Sequence, residues 1–427
     1  MRLMSEHVHS YYSATANPAP RRARLEGELA ADVCVVGGGI AGCSTALHLA
    51  ERGYKVALLE GRRIAWGASG RSGGQAIAGF AAAQDTLAAQ VGFETARRLW
   101  DVSVEAVELL KERVERHSID CDLRWGQMHV AIKQRHVTEL QAWQQDMTEK
   151  YAYAGTRWLG QNEVREWIAT ERYIGGLYDP RSGHLHPLNY TLGLAAAAEA
   201  AGVRIFEESQ VTSVEHGDPA TVVTAAGRVR VRHVALCCNA WIDELSPTLR
   251  ARIMPVGTYI VATESLGEAR MRGILREPVA VSDVNWVLDY FRPSADQRLL
   301  FGGRVSYSGL DPRNTGAATH QRMLKVFPQL ADARIEYSWG GYVDITMNRA
   351  PDFGRLAPNV YYLQGFSGHG IALTGMAGKL IAEAIAGQTE RFDLFSKLEH
   401  RRFPGGPALR TPLLVLAMLW FRLKDLA

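Results

Sequence analysis

An α/β fold is predicted for this chain of 427 residues on three observations. Residues 31–60 read as strand, glycine turn, helix and strand, a βαβ unit. The middle of the chain holds short runs of alternating apolar and polar residues, the pattern of antiparallel strands. A second strand, glycine turn and apolar helix follows over residues 361–386. Because the two nucleotide-like pieces lie far apart, the expectation is a Rossmann-like binding domain assembled from separated stretches. An antiparallel-sheet domain and helices are inserted between them.

The first unit is the most informative. Asp32-Val-Cys-Val-Val36 is a short apolar strand, and Gly37-Gly-Gly-Ile-Ala-Gly42 follows it at once. A helix runs from Cys43 to Glu51, Gly53 ends it, and Lys55-Val-Ala-Leu-Leu59 is the second strand, closing on Glu60. Gly37 suits the tight turn, Gly39 the close approach of a pyrophosphate, and Gly42 the packing of helix on strand. The helix start offers N–H groups and the positive end of its dipole to phosphates. Glu60 is placed to accept hydrogen bonds from a ribose. A dinucleotide is therefore the expected ligand, with Ile40 and Ala41 in the same turn and Gly61 and Arg62 after the acid.

Trp66 to Gln75 is a second stretch of small residues, where backbone can pass close to a ligand. Helical periodicity dominates 82–118 and returns over 137–150, with a strand at Met128 to Ile132 between them. Gly183 to Pro187 reads as a turn opening a helix of small residues, Leu192 to Ala201. Strands are expected at Val203–Phe206, Val211–Val214, Thr221–Thr224 and Val229–Val231. Val234-Ala-Leu-Cys-Cys238 is a continuous apolar strand that Asn239, Ala240 and Trp241 leave. Thr258–Ala262, Trp286–Arg292 and Leu299–Gly302 read as further strands. Tyr361 to Gln364 leads into Gly365-Phe-Ser-Gly-His-Gly370 and a helix over Ile371 to Ala386. The domain boundaries that follow are 28–80, 186–254 and 345–395 for the nucleotide domain, 81–185 and 255–344 for the substrate domain, and 396–427 for a C-terminal extension.

Composition excludes several classes. Hydrophobic residues are 47% and charged residues 22%, so the chain is not disordered. The net charge of +3 carries no sign of nucleic-acid binding. None of the five cysteines forms a C-x-x-C pair, and His184 with His186 lacks a suitably spaced third ligand, so no metal is expected. Reduced, mostly buried thiols and a cytoplasmic location are the expectation. Met1 to Pro20 lacks the apolar core of a signal peptide and reads as an extended arm through Tyr11-Tyr12. The apolar run Leu413 to Phe421 is too short to span a bilayer. Segment 413–423 is either an interfacial helix, giving peripheral contact with the inner face of a membrane, or a helix docked on the protein's own surface.

Motifs spread over nearly the whole chain resemble the glycine/D-amino-acid oxidase family of FAD-dependent amine oxidoreductases. They include Tyr11-Tyr12, Asp32 to Gly39, Gly67-Ala-Ser-Gly-Arg71 with Gly73-Gly-Gln75, Ile119 to Asp122, Gly183-His184 with His186 to Asn189, Phe366 to Gly370 and Phe403 to Gly406. The likeness is nearest to members that oxidise gamma-glutamylputrescine. It implies oxidation of an amine C–N bond to an imine by non-covalently held FAD, with a gamma-glutamylated polyamine as substrate, O2 as acceptor and H2O2 as product. A quinone acceptor is the other electron route. A small secondary-amine amino acid (pipecolate, sarcosine or iminodiacetate) is the alternative substrate, and a non-catalytic flavin-binding protein the alternative of another class.

By the same resemblance Ala68, Ser69, Gly70, Arg71, Gly73, Gly74 and Gln75 lie beside the pyrophosphate and ring. Val211 meets the adenine side, and Asn239, Ala240 and Trp241 adjoin the cofactor. Gly368, His369, Gly370 and Ile371 approach the flavin. His369 is the first candidate for a polar group at the flavin face, a packed structural histidine being the competing reading. Arg304 is the candidate anchor for a substrate carboxylate, against a surface arginine at a strand end. Tyr259, Trp286, Tyr290 and Tyr342 are candidates to line the amine channel, with core packing as the other reading. Three features depart from the nearest relatives: Ser72 where Asn is usual, the apolar stretch Ala76 to Ala82, and Arg304 in place of Gly. Gly341-Tyr-Val-Asp344 stands where relatives acting on free amino acids carry Gly-Leu-Arg-Pro, so the carboxylate arginine is missing from its usual place.

Overall fold

The computed structural model describes residues 6–285, 287–306, 315–406 and 412. Three sheets organise it. The six-stranded sheet runs in the order Asp352–Ala357, Val360–Gln364, His233–Leu236, Val33–Val36, Val56–Leu59 and Arg204–Phe206. All its neighbours are parallel except the edge strand Asp352–Ala357. Val33–Val36 and Val56–Leu59 are buried at every position, as an apolar run covered on both faces must be.

Helices Ile40–Ala50, Pro187–Ala200 and Gly370–Ile385 pack together on one side of this sheet, rich in Ala and Leu. Gly378 sets the closest crossing: a Cβ there would lie 2.6 Å from Thr45 N and 2.9 Å from Ala41 O. Ser44 Oγ donates to Gly375 O at 2.6 Å across the same seam.

A four-stranded sheet of Gly27–Ala30, Gly227–Val231, Ala220–Thr224 and Val211–Glu215 covers the other side. Its three later strands are antiparallel as expected, and Gly27–Ala30 adds parallel to Gly227–Val231, a strand that alternation does not reveal. The nine-stranded sheet is built from residues 75–76, 124–184 and 254–345. It is antiparallel except where Ala280–Asp283 runs parallel to Arg124–Ala131.

Two local readings are corrected. The N-terminal arm contains a helical turn, Tyr11–Ala14, because Ser10 and Ser13 cap it reciprocally. Both tyrosines are buried, Tyr12 completely. Gly183 and His184 are not in a turn: they end the strand Gly175–His184, which pairs with Arg124–Ala131. His186 is the N-cap of the next helix, its Nδ1 accepting from Asn189 N–H at 3.1 Å, with Pro187 at the first helical position. Four of the five cysteines are buried and no two are bridged. Among the described residues no single helix is long and apolar enough to cross a membrane. The segment 413–423 lies outside them.

Candidate active site

A cavity of about 1470 Å³ runs between the six-stranded and nine-stranded sheets. It is larger than the roughly 300–1,000 Å³ of ordinary small-molecule pockets. All the predicted cofactor residues line it except Gly42, Gly70, Arg71 and Ala240.

The reason the wall forms here is local. Gly37 has φ +108, and a Cβ on it would lie 2.5 Å from Cys237 O, so the two strand ends can meet only at glycine. Gly42 is packed rather than exposed: its Cβ would fall 1.8 Å from Gly37 O. Gly70 likewise backs onto Ala65 O. Arg71 lies behind the wall, stacked 4.1 Å over the Trp66 ring and donating through Nε to Trp66 O at 2.7 Å. Gly74 O accepts from Leu185 N–H at 2.8 Å, and Gly73 is held by Arg292, a buried arginine. Its Nε donates to Gly73 O at 2.7 Å, and its Nη2 to Leu185 O at 2.9 Å and to Tyr12 Oη at 3.1 Å. Arg292 ties the arm's tyrosine to the glycine turn.

Two helix N-termini without side-chain caps open on this one cavity: Gly39 before Ile40–Ala50, and His369 before Gly370–Ile385. First-turn N–H groups and the helix dipole suit an anion. Ile40 N–H is held by Ser69 Oγ at 3.0 Å. Glu60, at the end of its strand, accepts from Gly38 N–H at 2.6 Å and Arg62 N–H at 2.8 Å, and burial raises its pKa. Ser72 Oγ and His369 Nδ1, both of wall residues, are buried without hydrogen-bond partners. A long ligand with phosphates, a ribose and a polar ring edge fits this set.

The His369 region has a second group of residues that sequence reading missed. His129 lines the cavity, its Nδ1 3.1 Å from Ser282 Oγ, which also accepts from Gln127 Nε2 at 3.1 Å. Burial lowers the pKa of His129, and burial, His129 and Arg349 bring His369 down to about 4. Both imidazoles are neutral at pH 7. Asp283 and Asp344 are pushed up to about 7 by burial. Asp344 accepts from Gly365 N–H, and the Asn239 amide, oriented with Nδ2 toward the carboxyl as its surroundings require, donates to both oxygens at 2.6 and 2.7 Å. One carboxylate thus joins the turn after His233–Leu236 to the turn before Gly370–Ile385. No motif flagged His129, because a histidine in an alternating strand looks like any other exposed-face residue.

Of the remaining predicted residues only Tyr290 is placed on the wall. Tyr259 is buried off the cavity wall, beneath Gly340. Tyr342 packs edge-on to Trp241, with ring centroids 5.8 Å apart, so it backs a lining residue. Tyr290 does line the cavity, packed against Gly73 and Gly302. Trp286 lies outside the described residues. Arg304 belongs to the strand Leu299–Ser306, opposite Tyr259, and its side chain also lies outside what is described. His184 and His186 are engaged in the fold, with His184 Nε2 2.9 Å from Pro278 O and His186 Nε2 3.1 Å from Thr15 Oγ1.

The family model described as FAD dependent oxidoreductase, DAO, matches residues 32–384. The chain belongs to the DAO family of FAD-dependent oxidoreductases. It is 42% identical over 423 residues to gamma-glutamylputrescine oxidoreductase of Escherichia coli (strain K12), covering 99% of both chains. A probable oxidoreductase, OrdL, of Haemophilus influenzae is 40% identical over 425 residues, covering 98% of each. Among solved structures, glycine oxidase from Geobacillus kaustophilus superposes with a TM-score of 0.73 at 23% identity, over 87% of this chain and all of that one. As a DAO-family member the chain is an FAD-dependent oxidoreductase of amines or amino acids. FAD supplies the acceptor for a hydride from the C–H beside nitrogen.

Proposed function

We propose that this flavoenzyme oxidises the terminal amine of gamma-glutamylputrescine or a closely related gamma-glutamylated polyamine. The amine CH–NH2 loses a hydride and a proton to become an imine. Water then releases ammonia and leaves an aldehyde, and O2 takes up the two electrons and two protons as H2O2. The observation that carries the substrate is the 42% identity over essentially complete chains to an enzyme of that name.

The cavity agrees with the reading in size and charge. In this assignment Gly37, Gly39 and the start of Ile40–Ala50 hold the pyrophosphate, Glu60 the ribose, and Gly368 to Ile371 the flavin edge. FAD then occupies part of the volume and the substrate chain the rest. Hydride loss needs the nitrogen lone pair, hence a neutral amine. His129 and His369 are neutral at pH 7, and Asp283 and Asp344, raised to about 7, are about half protonated there, so the wall holds an ammonium less strongly than fully ionised carboxylates would.

FAD is proposed to be non-covalent, so acid precipitation should leave a colourless pellet and a yellow supernatant. The deciding measurement is anaerobic bleaching of the bound flavin. Gamma-glutamylputrescine should bleach it within a turnover time, and pipecolate, sarcosine and iminodiacetate should not. Bleaching by those amino acids alone would transfer the assignment to a secondary-amine substrate. Oxygen consumption with H2O2 formation in membrane-free solution tests the acceptor; electron transfer only to a quinone analogue would overturn it.

A further inference from the structure

The turn from Thr346 to Ala350 carries a residue its backbone does not favour. Arg349 has φ +60, in the left-handed region where a Cβ is disfavoured and glycine is the ordinary occupant. The turn holds that conformation. Arg349 N–H donates to Thr346 O at 3.2 Å, Thr346 Oγ1 to Ala350 O at 2.7 Å, and Ala350 N–H to Asn348 Oδ1 at 3.1 Å. Asn348 Nδ2 fastens the turn to Glu399 O at 2.9 Å, and Thr346 N–H fastens it to Ser367 Oγ at 3.3 Å.

Three non-glycine residues with positive φ line the cavity: Asn239, Arg349 and Ser367. Asn239 grips Asp344, and Ser367 Oγ bridges Thr346 N–H and Gly365 O, so both serve the wall itself. Arg349 brings a permanent cation to the cavity, and its charge reaches His369, helping to keep that imidazole neutral. Arg62 and Arg250 also line the wall, Arg62 beside Glu60 and Trp66; of the wall arginines only Arg349 has a positive φ. A guanidinium kept at a position suited to glycine points to a task for the side chain.

We propose that Arg349 is a specificity residue that takes the carboxylate of the substrate, the group a gamma-glutamyl unit carries and a simple diamine lacks. The inference rests on the substrate reading above. A guanidinium is the side chain suited to a two-point grip on a carboxylate. Arg349 stands on the cavity wall with His369, five residues beyond Asp344.

Arg349→Gly is the sharpest test, because glycine accepts φ +60 without the Cβ conflict. The variant should melt no lower than the native chain and carry the same FAD per chain. The ratio of kcat/KM for gamma-glutamylputrescine over N-acetylputrescine, which has no carboxylate, should fall at least tenfold, with KM moving more than kcat. Glutarate, used as a carboxylate probe, should perturb the native flavin spectrum and lose that effect at least tenfold in the variant. Arg349→Lys should recover part of both. An unchanged substrate ratio together with an unchanged glutarate response would overturn the proposal. A native flavin that gamma-glutamylputrescine cannot bleach would remove the substrate reading alone, and the glutarate comparison would still decide Arg349. Should Arg349→Gly lose FAD, Arg349→Asn, which also tolerates this backbone region, gives the same two readings.

Discussion

Gly42 has room for a hydrogen and for nothing larger, since its Cβ would overlap Gly37 O at 1.8 Å. Gly42→Ala should therefore separate the Ile40–Ala50 helix from its strand. The expected result is purified protein without flavin absorbance, or with FAD affinity reduced more than a hundredfold by equilibrium titration. Asp283 gives a different residue-scale prediction. Burial raises its carboxyl from an ordinary 3.8 to about 7 in the folded chain, so the native state keeps a proton that the unfolded state has released. Between about pH 4 and pH 7 the folded state binds more protons, and its stability falls as pH rises; above about 7 both states are ionised and the effect levels off. Asp283→Asn should flatten that slope. The gain at pH 8 should be of the order of 1–4 kcal/mol, read by urea denaturation at several pH values. Equal slopes in both proteins would show that Asp283 is ionised throughout. His369, held near 4, should contribute no limb to a rate profile above pH 5.

At the scale of elements, the seam between Ile40–Ala50 and Gly370–Ile385 aligns the two helices whose N-termini face one cavity. Gly378 permits the crossing, and Ser44 pins it. Gly378→Val should force the helices apart, at a cost of about 1–3 kcal/mol for overpacking. FAD affinity should fall as well, because the two N-termini no longer point to the same ligand. Ser44→Ala removes only the Oγ bond to Gly375 O and should cost about 1 kcal/mol with FAD affinity nearly intact. Equal FAD affinities for Gly378→Val and the native protein would show that the seam does not align the site.

At the scale of the molecule, the cavity lies between sheets whose strands come from distant parts of the chain, and a ligand filling it ties them together. FAD bound to the folded state alone should stabilise it by about 2.7 kcal/mol at a hundred times its dissociation constant. Apoprotein prepared by acid and salt should melt lower than holoprotein, and the melting temperature should climb with added FAD. Identical melting curves with and without FAD would mean that the cofactor does not bridge the sheets.

Motifs local in sequence are legible in the residues themselves. Glycines at 37, 39 and 42 and an acid at 60 announce a dinucleotide turn because backbone sterics and helix-end N–H groups act over a few residues. The apolar strands 33–36, 56–59 and 233–236 and the helix after Gly370 declare themselves by composition. The parallel strand Gly27–Ala30 does not, because only its pairing with Gly227–Val231 makes four ordinary residues a strand. Tertiary structure alone decided that His129, Asp344 and Arg349 share a cavity with His369, since those contacts join separate elements of the fold. It also decided that Tyr259 and Arg71 sit behind the wall rather than on it, because which face of an element meets the cavity depends on how the sheets pack against one another.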